Sequence, residues 1–132
     1  MKVVLDTNVL LAAFATRGLC EAIVSVCLLD HDIVISEPIL VEFRRHLQGK
    51  FKVPKARIEE IVELVRDKAK IVVPAKVPQN ACRDKDDLAV LGTLAAGGEC
   101  LVTGDRDLLE LGQYDSRPIL SPRSFYDRLL EE

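Results

Sequence analysis

The feature that most constrains this chain is a carboxylate at the end of an uninterrupted apolar run. Val3, Val4 and Leu5 lead straight into Asp6, and Asn8 follows two residues on. Apolar residues without alternation read as a strand buried on both faces, the pattern of a parallel sheet covered by helices. A charge at the mouth of such a strand is costly unless something pairs with it. If the chain is still extended there, Asp6 and Asn8 point the same way.

The rest of the chain supplies the covering helices. Strands are expected at 2–6, 33–35, 71–73, 100–103 and 117–120. Helices are expected at 8–14, 19–29, 37–48, 55–69, from Asp84 or Asp86 to 96, at 106–111 and at 122–131. Ser36 serves as N-cap with Glu37 and Pro38 in the first turn, and Ile58, Ile61, Val62 and Val65 recur at helical spacing. Residues 74–83 hold Pro74 and Pro78 and read as a loop. Strands alternating with helices imply an α/β fold: a three-layer α/β/α sandwich around a central parallel sheet of about five strands. With 132 residues, the expectation is a single domain over 1–132.

No apolar run approaches the roughly 18 residues of a membrane span. Met1-Lys2 enters the first strand directly, so no signal peptide is expected. The four cysteines, Cys20, Cys27, Cys82 and Cys100, lack C-x-x-C spacing. They read as reduced apolar fillers of a cytoplasmic protein.

In parallel sheets, ligands bind beyond the carboxyl ends of the strands. Asp6 ends the first strand and Asp105 follows the fourth, so the two meet if those strands are neighbours. Each acid also has an ordinary explanation. Asp6 and Asp105 could cap the helices that follow them. Asp87 could serve the dipole of its helix. Glu42 could pair with His46 four residues on. Gathered without a cation, the four would repel and raise one another's pKa. A hard divalent ion such as Mg²⁺ or Mn²⁺ relieves that repulsion.

Val4-Leu5-Asp6-Thr7-Asn8-Val9-Leu10 resembles the opening of PIN-domain nucleases. The segment from Asp87 to Ala95, followed by Leu101-Val102-Thr103-Gly104-Asp105-Arg106-Asp107-Leu108, is similar to that family's second half. Ser36 to Glu42 is similar to the segment carrying its helical glutamate. The likeness covers essentially the whole chain and is strongest to small prokaryotic PIN proteins of the toxin type (VapC-like). It implies a PIN-like fold and a Mg²⁺- or Mn²⁺-dependent endoribonuclease, the toxin of a toxin–antitoxin pair. It further implies a catalytic quartet of Asp6, Glu42, Asp87 and Asp105, with Asp6, Asp87 and Asp105 on the metal. Asp107 matches an auxiliary acid, and Thr7, Asn8 and Thr103 match polar positions lining the site. Asp84 and Asp86 are supporting or second-metal groups. The implied partners are RNA, an antitoxin protein and a second copy of the chain. Leu10, Leu11 and Phe14 of the first helix are expected to be partly uncovered and to favour that homodimer.

The net charge of −3 does not advertise nucleic-acid binding, but its distribution is uneven. Arg44, Arg45, Lys50, Lys52, Lys55 and Arg57 form a basic arm with no acid among them, on an otherwise acidic body. Lys and Arg there would bind RNA phosphates without reading sequence, and Phe51 could stack a base. A solvated helix corner is the plain alternative. Two other classes compete. A haloacid-dehalogenase-type phosphotransferase needs D-x-D-x-T, but Asn8 and Leu10 stand where Asp and Thr belong. A metal- or nucleic-acid-binding module without nuclease activity would leave RNA intact with Mn²⁺ present.

Overall fold

The computed structural model describes residues 1–131. In chain order the elements are β1 (Lys2–Leu5), α1 (Thr7–Ala15), α2 (Leu19–Asp30), β2 (Asp32–Ile35), α3 (Glu37–Gly49), α4 (Lys55–Lys68) and β3 (Ala69–Ile71). They continue with α5 (Lys85–Gly97), β4 (Cys100–Val102), α6 (Arg106–Leu111), β5 (Gln113–Tyr114), β6 (Arg117–Leu120) and α7 (Pro122–Glu131). The six strands lie in the order β3-β2-β1-β4-β6-β5. All pairings are parallel except the β5–β6 hairpin. Helices flank the sheet, giving the expected α/β/α architecture with one strand more than expected.

β1 lies inside the sheet, between β2 and β4. Val3, Val4 and Leu5 are fully buried, as are Leu101 and Val102 of β4 beside them. The registers Val4↔Leu101 and Leu5↔Val102 bring the carboxyl ends of these two strands level. The chain winds outward from β1 in both directions, so the order reverses between β1 and β4. That junction is where a parallel sheet opens a crevice.

Three expectations need correction. The third strand falls at Ala69–Ile71 rather than 71–73, and α4 ends at Lys68. β2 ends at Ile35, and its partners are Ala69, Lys70 and Ile71. Only one further bond, from the Val72 amide to the Ile35 carbonyl (2.9 Å), extends the ladder, and Val73 is 86% exposed. The apolar triplet therefore marks the run off the sheet edge, not the strand. β5 was not expected at all. It is two residues long and turns through Asp115 and Ser116, both at positive φ (52° and 62°). Such two-residue hairpins usually carry Asn-Gly or Asp-Gly, so Asp-Ser gives little warning. Finally, Leu10 and Leu11 are 1% and 8% exposed, and Phe14 packs against Phe43 with ring centroids 5.8 Å apart. Of the three, only Phe14 is left half-buried on α1.

All four cysteines are free thiols. Burial pushes the thiol pKa of Cys27 up to about 12 and that of Cys100 to about 11, in keeping with a role as apolar filler. No single helix is long and apolar enough to cross a membrane among the described residues.

α5 is held close to the loop after β3. The Ala75 amide donates to the Gly92 carbonyl (2.9 Å), and a Cβ at position 92 would lie 2.5 Å from the Ala75 carbonyl oxygen. Gly92→Ala should therefore destabilise the protein by about 1–3 kcal/mol, the usual cost of overpacking against an atom that cannot move aside. Urea denaturation of both proteins checks this, and an unchanged midpoint would show that the loop is not clamped there.

Candidate active site

Asp6 stands at the end of β1 and is the N-cap of α1. Its Oδ1 accepts the Thr7 amide (2.7 Å), so capping and site geometry are satisfied by the same group. Its Oδ2 accepts the Thr103 hydroxyl (2.7 Å) and the Asn8 side-chain amide (3.3 Å). The helix has already begun at Thr7, so Asn8 reaches Asp6 from the first turn and not along an extended strand. The Asn8 Oδ1 in turn accepts the Gly104 amide (3.0 Å), tying the β1 end to the β4 end. Thr103 sits between the two acids, because its oxygen also accepts the Asp105 amide (3.0 Å).

Asp105 is likewise both cap and candidate. It opens α6 by accepting the amides of Asp107 and Leu108 through Oδ1 at 2.8 and 3.3 Å. Glu42 lies on α3. Its Oε2 is 3.5 Å from the Thr7 hydroxyl and its Oε1 is 3.6 Å from the His46 ring. The pairing with His46 thus exists, and it coexists with an approach to the β1 end.

Asp87 is different. It lies in the first turn of α5, whose N-cap is Asp84, and is 7% exposed. Its Oδ2 is the one buried side-chain polar atom without a hydrogen-bond partner among the described residues. Burial first, and then the charges of Asp105, Asp6, Asp84 and Glu42, push its pKa up to about 7. Asp6 is also raised, chiefly by burial, against the lowering bonds from Thr103 and Thr7, with Glu42 and Asp105 adding to the rise. The structure therefore brings all four quartet acids within one another's field.

The remaining candidates are more peripheral. Asp107 is half-buried on α6. Asp84 and Asp86 are exposed at the start of α5. The basic arm divides. Arg44 is ion-paired with Glu59 and Arg57 with Glu60 (2.9 Å), acids that follow closely in sequence. Arg45 lines a recess between α3 and α5. Lys50, Lys52 and Lys55 lie beyond the end of α3, and Phe51 is 42% exposed there.

Sequence reasoning overlooked two features. Ser36 is the α3 N-cap by position, but its side chain makes no capping bond. Its hydroxyl instead accepts from buried Thr93 of α5 (2.7 Å), joining the helices that carry Glu42 and Asp87. Cys82 lies near Asp87, Asp84, Asp105 and Asp107, whose charges add to burial in raising its thiol pKa. Its place two residues before Asp84 was the only signal.

A divalent ion fits this donor set. An unpartnered buried carboxylate oxygen among like charges needs a cation or a proton, and carboxylate and hydroxyl oxygens suit Mg²⁺ or Mn²⁺. No three His, Cys, Asp or Glu groups form a ready cage among the described residues. Mg²⁺ does not require one, since it is held through one or two carboxylates and keeps several waters.

The acids thus gather at the β1–β4 junction of the parallel sheet. A family model described as PIN domain matches residues 2–107. The chain belongs to the PIN domain family, whose members are generally nucleases. That membership sets aside the haloacid-dehalogenase alternative. No curated protein matches the chain. Among solved structures, a chain in the crystal structure of VapBC2 from Rickettsia felis bound to a DNA fragment from its promoter is similar, with a TM-score of 0.60 and 16% identity. The match covers 91% of this chain and 97% of that one; at this identity it speaks for the fold.

The raised pKa values make the metal-free protein pH-sensitive in a defined direction. A carboxyl whose folded pKa lies above its unfolded value binds its proton more tightly when folded. Folding is therefore penalised once pH exceeds the unfolded value near 4, and the penalty is complete above about 7 for Asp87. In EDTA, the melting temperature should fall between pH 5 and pH 8. Asp87→Asn should flatten that fall and stabilise the protein at pH 8 by an amount on the order of 1 kcal/mol. If Asp87 only served the helix dipole, Asn would melt lower than the parent.

Proposed function

We propose that this chain is a Mg²⁺- or Mn²⁺-dependent endoribonuclease of the cytoplasm, a single PIN-like domain over 1–132, and the toxin member of a toxin–antitoxin pair. The observation that carries the reading is Asp87 Oδ2, buried and unpartnered among four other carboxylates. Such a group costs stability and contributes nothing structurally, so it fits a binding function better than an architectural one.

In this reading Asp6, Asp87 and Asp105 would hold the ion, directly or through water. When bound, a divalent ion supplies a nucleophilic water at neutral pH and offsets charge on the phosphate. The chain's own residues do the positioning. Thr103, Thr7 and Asn8 fix the Asp6 carboxylate through three hydrogen bonds, leaving it little rotational freedom. Glu42, beside Thr7 and His46, would complete the site or orient the attacking water. Asp107 acts as an auxiliary acid, while Asp84 and Asp86 tune the charge around Asp87. The basic residues Arg44, Arg45, Lys50, Lys52, Lys55 and Arg57 are the proposed RNA contacts. Arg44 and Arg57 must first leave Glu59 and Glu60 to serve.

The antitoxin proposal draws on the fold shared with the VapBC2 chain and on an apolar groove between α2 and α4. Phe14, Val24, Leu28 and Leu64 line it, with Leu28 and Leu64 44% and 46% exposed. An amphipathic helix of a partner suits such a groove. The homodimer rests on the family resemblance alone, since Leu10 and Leu11 are buried. Light scattering at micromolar concentration should give twice the chain mass, and a monomer would remove that part.

Asp6→Asn and Asp87→Asn should each lower Mn²⁺-dependent RNA cleavage at least a hundredfold while circular dichroism is unchanged, and EDTA should silence the parent. Cleavage by either variant at the parent rate would refute the site. An intact RNA in the presence of Mn²⁺ and parent protein would favour the binding-module alternative.

A further inference from the structure

The recess between α3 and α5 has a volume of about 410 Å³, within the range that holds a small ligand. It opens beside the acids, because Glu42 lines it while also raising the pKa of Asp6 and Asp87. Its lining combines two chemistries. Pro38, Val41, Ala89 and Val90 give it an apolar floor, and Val41 is left 60% exposed on a helix that otherwise buries its apolar residues. Arg45 from one wall and Lys85 from the other are cations.

These two cations differ from the paired arginines nearby, as do Lys50, Lys52 and Lys55. Arg44, Arg57 and Arg66 are engaged by Glu59, Glu60 and Glu37. Neither Arg45 nor Lys85 makes an ion pair among the described residues. Of the acids in the recess, Glu37 is held by Arg66, which lowers its pKa, and Glu42 faces Thr7 and His46. Arg45 and Lys85 thus share the recess with the carboxylates of Glu42 and Asp86, while Glu37 is offset by Arg66. Arg45 also lies three residues after Glu42, on the same face of α3. Lys50 is eight residues on, about 12 Å further along the helix axis.

We propose that this recess seats one unpaired nucleotide of the substrate RNA, adjoining the phosphate to be cut, with Arg45 and Lys85 on its phosphates and its base against Pro38 and Val41. This rests on the ribonuclease reading and deepens it. A simple anion would not need the apolar floor, and an apolar ligand would not need the cations. A base pair cannot enter a concave slot between two helices, so the substrate is single-stranded at this point. Lys85 thereby joins the RNA contacts, and the far part of the basic arm is secondary.

The test is binding without cleavage. Fluorescence anisotropy in EDTA would use a labelled single-stranded 12-mer RNA of mixed sequence and the matching duplex. Arg45→Ala and Lys85→Ala should each weaken single-strand binding roughly fivefold, and the double variant should lower the slope of log affinity against log salt by about 0.7 for each phosphate no longer neutralised. Arg45→Lys should retain most of the affinity, and the pair Lys52→Ala/Lys55→Ala should change it less than the recess variants. The duplex should bind more weakly than the single strand. A double variant that binds single-stranded RNA like the parent overturns the recess and leaves the ribonuclease reading standing. A parent that binds no RNA at low salt overturns both. Competition by poly-glutamate as strong as by unlabelled RNA would assign the recess to an acidic protein partner instead.

Discussion

Four carboxylates share one corner of this molecule, and mutual repulsion is the constraint around which the corner is built. The parallel pairing of β1 with β4 sets the ends of both strands level, so Asp6 and Asp105 emerge side by side. α3 and α5 then bring Glu42 and Asp87 toward the same point. The sheet and the apolar core supply the free energy that tolerates this, since burial of Val3, Val4, Leu5, Leu101 and Val102 is complete. Asp6 and Asp105 are compensated by amides and hydroxyls, whereas one oxygen of Asp87 is not. The strain is thus concentrated on one residue.

Hydroxyl groups do much of the local organisation. Thr103 donates to Asp6 and accepts from the Asp105 amide, so a single side chain fixes the relation between two strands and two acids. The buried Ser36–Thr93 pair lies further from the acids and joins α3 to α5, the helices carrying Glu42 and Asp87. Both bridges connect segments remote in sequence, which is why local pattern alone gives no hint of them.

Much of the fold was legible because the β1 and β4 runs are continuously apolar and because caps and prolines punctuate the helices. Most helix bounds fell within a residue or two of their expected places, as for α6 and α7. Legibility failed where tertiary context overrode local pattern. Ile71-Val72-Val73 has the composition of a strand, yet the ladder is set by where β2 stops. Leu10 and Leu11 look like part of an exposed stripe, but α2 and α3 bury them and leave only Phe14 half-buried. At the site, the acids stood out by position after strands, and the PIN resemblance grouped them. Whether a carboxylate both caps and lines a site cannot be read from sequence, and Asp6 and Asp105 are both caps and site candidates. Nor could sequence separate Arg45, turned into the recess, from Arg44 beside it, which turns to Glu59.

The central claim is that a divalent ion relieves the charge held on Asp87. Calorimetric titration of Mn²⁺ into the metal-free protein at pH 7, in two buffers of different ionisation enthalpy, tests it directly. With its pKa pushed up to about 7, Asp87 is partly protonated at pH 7 in the metal-free protein. Metal uptake should therefore release protons, and Asp87→Asn should lose both that release and most of the affinity. Uptake without proton release, equal in parent and Asp87→Asn, would contradict the account.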